Sequence, residues 1–384
     1  MERVFVSLVG FLLCTPLMAD EIRFFSQSVE AGVSNPTEEA PCLFDEGCYL
    51  AVEEEKKLEP SGLVWDPKLN LAICVNDSGN NARDKYWPGY EIFAFNPYDK
   101  KHPIEVKPLL AKGEGTRLEL RDLEGLTRTD HGFYYAIASM SLDEDESRNH
   151  WGRHQVIQFK VEKKTEKEFH IVNVKRLEVW RANVCEWMSL NDAESWPDES
   201  CRKLAERGGL NVEGLASVHP KMEEDDKRKL CDLVIGLRGP LHYLTPTFPL
   251  ALVAFVPIDE DNPTAPPPLK VKWKALGVAE LPGSWNERRR GIRAIERIPG
   301  RDHYYVVVLG HEGSEHHNLR LALWDSKTER IQDRGELPPG FVAEGAAVMG
   351  KKEDGKNDYI NVLLVDDRLA RVLIKKIRNW EDSP

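Results

Sequence analysis

Three glutamates, each followed by a glycine and an apolar residue, are the residues of this sequence best suited to chemistry. They are Glu124, Glu213 and Glu344. Carboxylates gathered at one site repel one another, so they need a cation, a shared proton or arginine partners. Oxygen ligands of this kind suit calcium or another hard metal ion. The three glutamates are therefore predicted to be metal ligands and members of a catalytic set.

Polar residues in matching positions enlarge this candidate site. Arg238 and His311 are predicted to complete the catalytic set, since each follows a buried strand that returns to the same end of the fold. The predicted ligand-binding residues are Arg290, Asp77, Ser139, Glu312 and Asp366. Arginine binds anionic oxygens strongly. Together with a hard cation, this set favours a phosphate ester as the substrate and calcium as the cofactor.

The Glu-Gly pairs also have a purely structural interpretation. Glycine permits a tight entry into a strand, and glutamate can accept hydrogen bonds from backbone amides of a neighbouring sheet. Glutamate oxygens that converge on a space one ion wide would favour the metal hypothesis. Oxygens bonded separately to backbone amides would favour the structural one.

Two familiar hydrolase motifs are absent. His311-Glu312 begins like a zinc protease motif, but that motif needs a second histidine four residues after the first, and position 315 is glutamate. No Gly-x-Ser-x-Gly sequence is present, which argues against a serine hydrolase of the usual kind.

A repeated pattern indicates the elements that must position these residues. Five segments share a glycine followed by an apolar residue, a short strand, a turn, a second apolar strand and a polar cluster. They begin at Gly62, Gly125, Gly214, Gly291 and Gly345. Further β-rich runs follow the two strands of each segment. Four short antiparallel strands make up one blade of a β-propeller. The sequence predicts an all-β protein with a single propeller of five blades, or alternatively six.

The ends of the chain give the predicted domain organisation. Residues 1–19 have the charge, apolar run and small residues of a signal peptide, with cleavage after Ala19. Residues 20–58 are expected to close the ring through a strand at 22–27 or 49–53. Residues 59–384 form the propeller, and 181–209 are expected to be an inserted helical excursion.

The cysteine content is consistent with the expected export of the protein. The expected mature chain is secreted or periplasmic, and it has an even number of cysteines, which suggests disulfides. The candidate pairs are Cys42 with Cys48 and Cys185 with Cys201, whereas Cys74 and Cys231 lie in apolar strands and suit buried thiols.

The overall charge limits the class of partner. The net charge of -12 argues against nucleic acid and anionic membranes. No segment beyond the signal peptide is apolar enough to span a membrane. We therefore expect a monomer that binds an anionic small molecule or a component of the cell envelope.

Three motifs resemble a known group of proteins. Asp122-Leu123-Glu124-Gly125-Leu126, Asn211-Val212-Glu213-Gly214-Leu215 and Gly236-Leu237-Arg238-Gly239-Pro240 resemble a bacterial family of exported β-propellers of unknown function. The resemblance covers most of residues 59–370. In its repeats this family is similar to the phytase-like esterase propellers.

The second similarity implies calcium-assisted hydrolysis of phosphate esters. The sequence departs from a fully acidic rim at Ser61 and Arg290. This departure favours one metal ion over several. A non-catalytic module that binds a ligand or a protein is the alternative function.

Overall fold

The computed structural model describes most of the chain after residue 47. The described residues are 48–51, 58–77, 91–99, 104–111, 122–140, 155–165, 168–177, 211–219, 229–239, 241–245, 248–265, 271–278, 281–282, 289–311, 319–354 and 357–378. Within these ranges the regular elements are β-strands and no α-helix occurs. The described residues accordingly contain no apolar helix of membrane-spanning length. The predicted signal peptide and the excursion at 181–209 lie outside these ranges.

The strands are short and follow one another closely along the chain. In chain order they are β1 (Cys48–Ala51), β2 (Pro60–Asp66), β3 (Leu71–Asn76), β4 (Ile92–Phe95), β5 (Ile104–Pro108), β6 (Leu110–Ala111), β7 (Leu123–Arg128), β8 (Tyr134–Ala138), β9 (Val156–Lys163), β10 (Phe169–Arg176), β11 (Asn211–Val218), β12 (Leu230–Gly239), β13 (His242–Thr245), β14 (Phe248–Asp259), β15 (Lys272–Leu276), β16 (Arg290–Arg297), β17 (Tyr304–His311), β18 (Arg320–Asp325), β19 (Arg330–Glu336), β20 (Ala343–Asp354), β21 (Asn357–Asp366) and β22 (Arg371–Arg378).

Sequential strands pair antiparallel in runs of four. The runs are β2-β3-β4-β5, β7-β8-β9-β10, β11-β12-β14-β15, β16-β17-β18-β19 and β20-β21-β22-β1. The short strands β6 and β13 add to two of them. Strand β1 comes from the start of the described chain, yet it pairs antiparallel with β22 and parallel with β5. It therefore joins the last run of strands to the first.

The first strand of each run lies innermost. Strand β2 contacts β7, which contacts β11, and the order continues through β16 and β20 back to β2. Strands that meet in a closed order of this kind surround an axis, as in a β-propeller. The predicted all-β fold of four-stranded antiparallel sheets is confirmed.

The hydrophobic core lies between neighbouring sheets. One buried cluster joins Leu63 and Cys74 of the first run to Val365 and Val372 of the last, and Cys48 of β1 belongs to it. Similar clusters fill the other inter-sheet spaces. Each strand is buried on both faces where it lies inside the fold, which explains the apolar runs in the sequence.

The repeated glycines lie where inner strands come closest. A Cβ atom on Gly345 would lie 2.0 Å from the carbonyl oxygen of Ser61, and one on Gly62 would lie 2.4 Å from the amide nitrogen of Leu126. No side chain fits at such distances. Glycine at these two positions is therefore a steric requirement of the ring.

Replacing Gly345 with alanine should destabilise the protein by about 1–3 kcal/mol, because the new methyl group pushes β20 away from β2. Chemical denaturation measures the effect. Gly239→Ala is the matched control, since a Cβ atom there meets nothing within 4 Å. Equal stability of the two variants would contradict this close contact between the last and first runs.

Candidate functional site

Irregular strand pairing places charged side chains at the start of four inner strands. The register shifts between Leu123 and Gly125, between Val212 and Gly214, and between Ala343 and Gly345. The extra residues are Glu124, Glu213 and Glu344. In a regular strand the side chains alternate between the two faces of the sheet, and a bulge of this kind changes the direction of one side chain. The same device therefore turns all three glutamates toward the axis.

The fourth bulge corrects the sequence alignment of the repeats. On β16 the register shifts between Ile292 and Ala294, so Arg293 occupies the position equivalent to the glutamates. Arg290, which the sequence pattern places there, is also buried, but its Nη1 donates to the carbonyl oxygen of Pro282 at 3.1 Å. Sequence reasoning missed Arg293. The available signal was Gly310, where a Cβ atom would lie 2.4 Å from Nε of Arg293.

Two arginines pair with two of the glutamates. Arg293 is fully buried, and its Nη1 lies 2.5 Å from Oε1 of Glu344 and 3.7 Å from Oε2 of Glu213. Arg238 Nη1 donates to Oε1 of Glu213 at 2.5 Å. These buried, charge-assisted contacts occupy Glu213 and Glu344 with arginine partners.

Glu124 makes no close ion pair with an arginine among the described residues, although the charge of Arg238 acts on it, and it lies beside two aspartates. Its Oε2 accepts a hydrogen bond from Ser61 at 2.8 Å. One oxygen each from Asp77, Asp122 and Glu124 lie within 4.8 Å of one another, a spacing that could hold a metal ion. Asp122 Oδ2 also accepts a short hydrogen bond from Ser139. These three acids are called the carboxylate trio below.

The environment opposes charge on two members of the trio, Glu124 and Asp77. Burial raises the pKa of Glu124 well above its ordinary value, and the charges of Asp77, Glu213 and Glu344 raise it further. Burial and the neighbouring Asp122 raise the pKa of Asp77 in the same way. Without a cation, protons must be retained at this site.

The charged form of Glu344 is also disfavoured, although Arg293 contacts its carboxylate. Burial first, then the charges of Glu213 and Asp367, raise its pKa, while Arg293 and Arg238 partly offset them. Asp367 itself is raised to a pKa of about 6 by burial and by the charge of Asp366. Acids therefore outnumber the arginines at this end of the described structure.

Next to the charged groups, the space enclosed by the inner strands is almost filled by side chains. A cavity of about 10 Å³ is lined by Glu213 and Glu344 on one side and by small or apolar residues of the inner strands. The apolar residues are Leu63, Leu126, Leu215, Ala294, Ile295 and Ala346. We call the carboxylate trio together with Glu213, Arg238, Arg293 and Glu344 the channel-mouth site.

The structure places the other predicted ligand residues at varying distances from this site. Asp77 belongs to it, and Ser139 donates a hydrogen bond to Asp122, which is a member of it. His311 contributes its backbone, since its carbonyl oxygen lies 3.4 Å from Nε of Arg238. Asp366 instead accepts backbone hydrogen bonds from Arg368 and Leu369 in the β21–β22 turn, at 3.1 and 3.3 Å.

Several predictions fall partly or wholly outside the described residues. Glu312, Cys42, Cys185 and Cys201 lie outside them. Cys48 is disulfide-bonded, and the proposed Cys42–Cys48 and Cys185–Cys201 pairings stay predictions. Among the described cysteines, Cys74 and Cys231 are free and buried. This agrees with their interpretation as buried thiols.

Asp122, which belongs to the site, and Asp367, which lies beside it, were not chosen from the sequence. Asp122 has a positive φ of 58°, and aspartate is one of the few residues that tolerate this conformation. Its place at the start of the Asp-Leu-Glu-Gly-Leu motif was the available signal. Asp367 contacts Glu344, one position beyond the aspartate that the repeat pattern favours.

Comparison with known proteins gives structural likenesses of low similarity. No protein-family profile matches the chain, and no curated protein matches its sequence. An endo-arabinase from Bacteroides thetaiotaomicron is 10% identical, with 86% of this chain and 97% of that one covered and a TM-score of 0.40. The Nup133 β-propeller domain of Vanderwaltozyma polyspora is 11% identical, with 84% and 86% covered and a TM-score of 0.33.

A third likeness is to Pseudomonas fluorescens PhoX in complex with vanadate, a transition-state analogue. It is 10% identical, covers 82% of this chain and 69% of that one, and has a TM-score of 0.32. These proteins have different roles, so the comparisons select no activity for this chain.

Proposed function

We propose that this protein is an exported β-propeller whose channel-mouth site binds a hard divalent cation and hydrolyses an anionic phosphate ester. Calcium is the cation best matched to a set of carboxylate oxygens. The carboxylate trio of Asp77, Asp122 and Glu124, with oxygens within 4.8 Å of one another, is the observation that carries the proposal.

The electrostatics of the trio support a cation. Burial and then the neighbouring carboxylates raise the pKa values of Asp77 and Glu124, so the charged forms of these two acids are unfavourable until positive charge is added. The hydroxyl groups of Ser61 and Ser139 hold one oxygen each of Glu124 and Asp122.

Arg238 supports an anionic substrate. Its side chain is 12% exposed, more than that of Arg293, and it is oriented by Glu213 at 2.5 Å. Its guanidinium group would hold a phosphate oxygen, while Arg293 balances Glu344 beneath it. A bound cation would neutralise phosphate charge and lower the pKa of a water molecule.

A non-catalytic ligand-binding module is the second candidate. It is favoured by the arginine partners of Glu213 and Glu344, because ion-paired glutamates are poor general bases. Under this alternative the same cation and Arg238 would hold an anionic ligand without turnover.

We further propose that the propeller has five blades. The closed order of inner-strand contacts from β2 through β7, β11, β16 and β20 back to β2 supports this count. The antiparallel pairing of β1 with β22 supports a ring closed by the N-terminal segment.

Calcium should raise the melting temperature of the chelator-treated protein by several degrees. A ligand at one hundred times its dissociation constant stabilises the native state by about 2.7 kcal/mol. Differential scanning calorimetry with and without calcium measures this. Asp122→Asn combined with Glu124→Gln should abolish the rise, and Glu105→Gln, an exposed acid on β5, should retain it.

Turnover separates the two candidate functions. Release of phosphate from aryl phosphates, dependent on calcium and reduced at least tenfold in Arg238→Lys, would support the hydrolase. Calcium-dependent binding of phosphate compounds without turnover would support the binding module. If calcium and other divalent cations leave the melting temperature unchanged, the cation site itself is wrong.

A further inference from the structure

Two histidines and a glutamate meet at the ends of three separate elements, away from the channel-mouth site. His131 lies in the turn between β7 and β8, His219 directly follows β11, and Glu260 directly follows β14. Strands β7 and β11 begin at the channel mouth, so these residues lie at the opposite end of the sheets. We call them the histidine–glutamate cluster.

The ligand atoms of the cluster converge. Oε2 of Glu260 lies 3.4 Å from Nε2 of His219 and makes a short contact with Nδ1 of His131. All three atoms are within 4.8 Å of one another. The two imidazole rings meet edge to face with centroids 4.6 Å apart. Two imidazole nitrogens and one carboxylate oxygen form a common protein ligand set for zinc.

Glu260 is fixed in place and incompletely satisfied. Its side chain is fully buried, its amide donates to the carbonyl oxygen of Lys229 at 2.9 Å, and its carbonyl accepts from Gln158 at 2.9 Å. The other carboxylate oxygen, Oε1, is buried and makes no hydrogen bond of standard geometry among the described residues, although the Thr129 side chain also hydrogen-bonds to this carboxylate. A buried carboxylate that is incompletely hydrogen-bonded gains from a further partner, such as a metal ion.

A second carboxylate orients His219. Nδ1 of His219 lies 3.0 Å from Oδ2 of Asp130, and Oδ1 of Asp130 accepts from Nη2 of Arg297 at 2.5 Å. This contact leaves Nε2 directed toward Glu260. Metal-binding histidines usually donate their other ring N–H to a carboxylate, a backbone carbonyl or water.

Space for a fourth ligand lies next to the cluster. A cavity of about 500 Å³ is lined by His219 together with Val218, Asp232, Phe255, His303 and Lys327. Three protein ligands beside an open cavity match a metal site that retains a position for water or another small molecule.

We propose that His131, His219 and Glu260 bind a transition-metal ion of the zinc type, with an open coordination position facing the adjoining cavity. Imidazole ligands select such metals over calcium. His131 is the adaptable ligand, since its side chain is 42% exposed. It can turn to widen the short contact with Glu260 when a metal ion enters.

Protonation of His219 is the competing explanation for the close approach of these side chains. Although burial lowers it, hydrogen bonds to Asp130 and Glu260 raise the pKa of His219 to about 9. A protonated His219 would then balance Glu260 without any metal ion. The experiment must therefore detect the metal directly.

The test is titration of untagged, chelator-treated full-length protein with Zn²⁺, followed by calorimetry, and with Co²⁺, followed by visible absorption. The expected result is one Zn²⁺ site that is lost, or weakened at least 100-fold, in His131→Asn and in His219→Gln. Asp130→Asn should weaken it 10- to 100-fold. His303→Gln, which alters the cavity wall alone, should retain the site.

A tetrahedral Co²⁺ spectrum that disappears in His131→Asn would further support the proposal. His131→Asn is the informative variant because the half-exposed side chain can be replaced without loss of the fold, which circular dichroism checks. Zinc binding that is unchanged in both histidine variants, or absent from the parent protein, would overturn the proposal. Retention of the zinc site in Asp122→Asn would separate it from the channel-mouth site.

Discussion

Replacing Arg293 with methionine should lower the free energy of unfolding by about 3–5 kcal/mol. Arg293 is fully buried, and its guanidinium group lies 2.5 Å from Glu344 and 3.7 Å from Glu213. Methionine keeps much of the volume but removes the positive charge. The buried carboxylates of Glu344 and Glu213 then lose the positive charge that they share. Urea denaturation at neutral pH with a chelator present measures the change.

The matched control is Arg330→Met, an exposed arginine at the start of β19. It should change stability by no more than about 0.5 kcal/mol. Arg293→Met combined with Glu344→Gln should be more stable than Arg293→Met alone, because the second change removes one of the stranded charges. If the double variant is the less stable of the two, the electrostatic role assigned to Arg293 is wrong.

Stability in the absence of metal should fall as the pH rises from 5 to 7. A carboxyl whose pKa is raised by folding holds its proton more tightly in the folded state. Its contribution is complete below its unfolded pKa of about 4 and is lost as the pH rises through its folded pKa. Asp77, Glu124, Glu344 and Asp367 all have raised pKa values. Each proton retained on folding contributes a slope of about 1.4 kcal/mol per pH unit.

Asp367→Asn isolates one part of this slope. The pKa of Asp367 is about 6, so the variant should show a smaller loss of stability between pH 4 and pH 6. Carboxyls with lowered pKa values, such as Asp325 and Asp333, act in the opposite direction, mainly below pH 4. Denaturant unfolding at a series of pH values tests both statements. Parent stability that increases from pH 5 to pH 7 would contradict them.

The repeat pattern was visible in the sequence because packing leaves little choice at its centre. Inner strands approach so closely at Gly62 and Gly345 that only glycine fits, and the bulges place acids beside several of these glycines. Such constraints act over two or three adjacent residues. Local patterns can therefore reveal both the propeller class and Glu124, Glu213 and Glu344.

Which charged residues contact one another could not be predicted from the sequence, because the positions of bulges and turns determine these contacts. On β16 the bulge comes after Ile292, so counting from the glycine selects Arg290 in place of Arg293. His131, His219 and Glu260 follow three different strands and share no spacing in the sequence. Only the arrangement of the sheets brings them together.

The pairing of β1 with β22 has a consequence for biosynthesis. Cys48 pairs with Val372 and Tyr49 with Arg371, so the last sheet receives its outer strand from a segment that precedes all the other described strands. That strand must wait, unpaired with β22, until β22 has been synthesised. Contacts so distant in sequence form slowly. Closure of the ring is therefore expected to be a late step of folding.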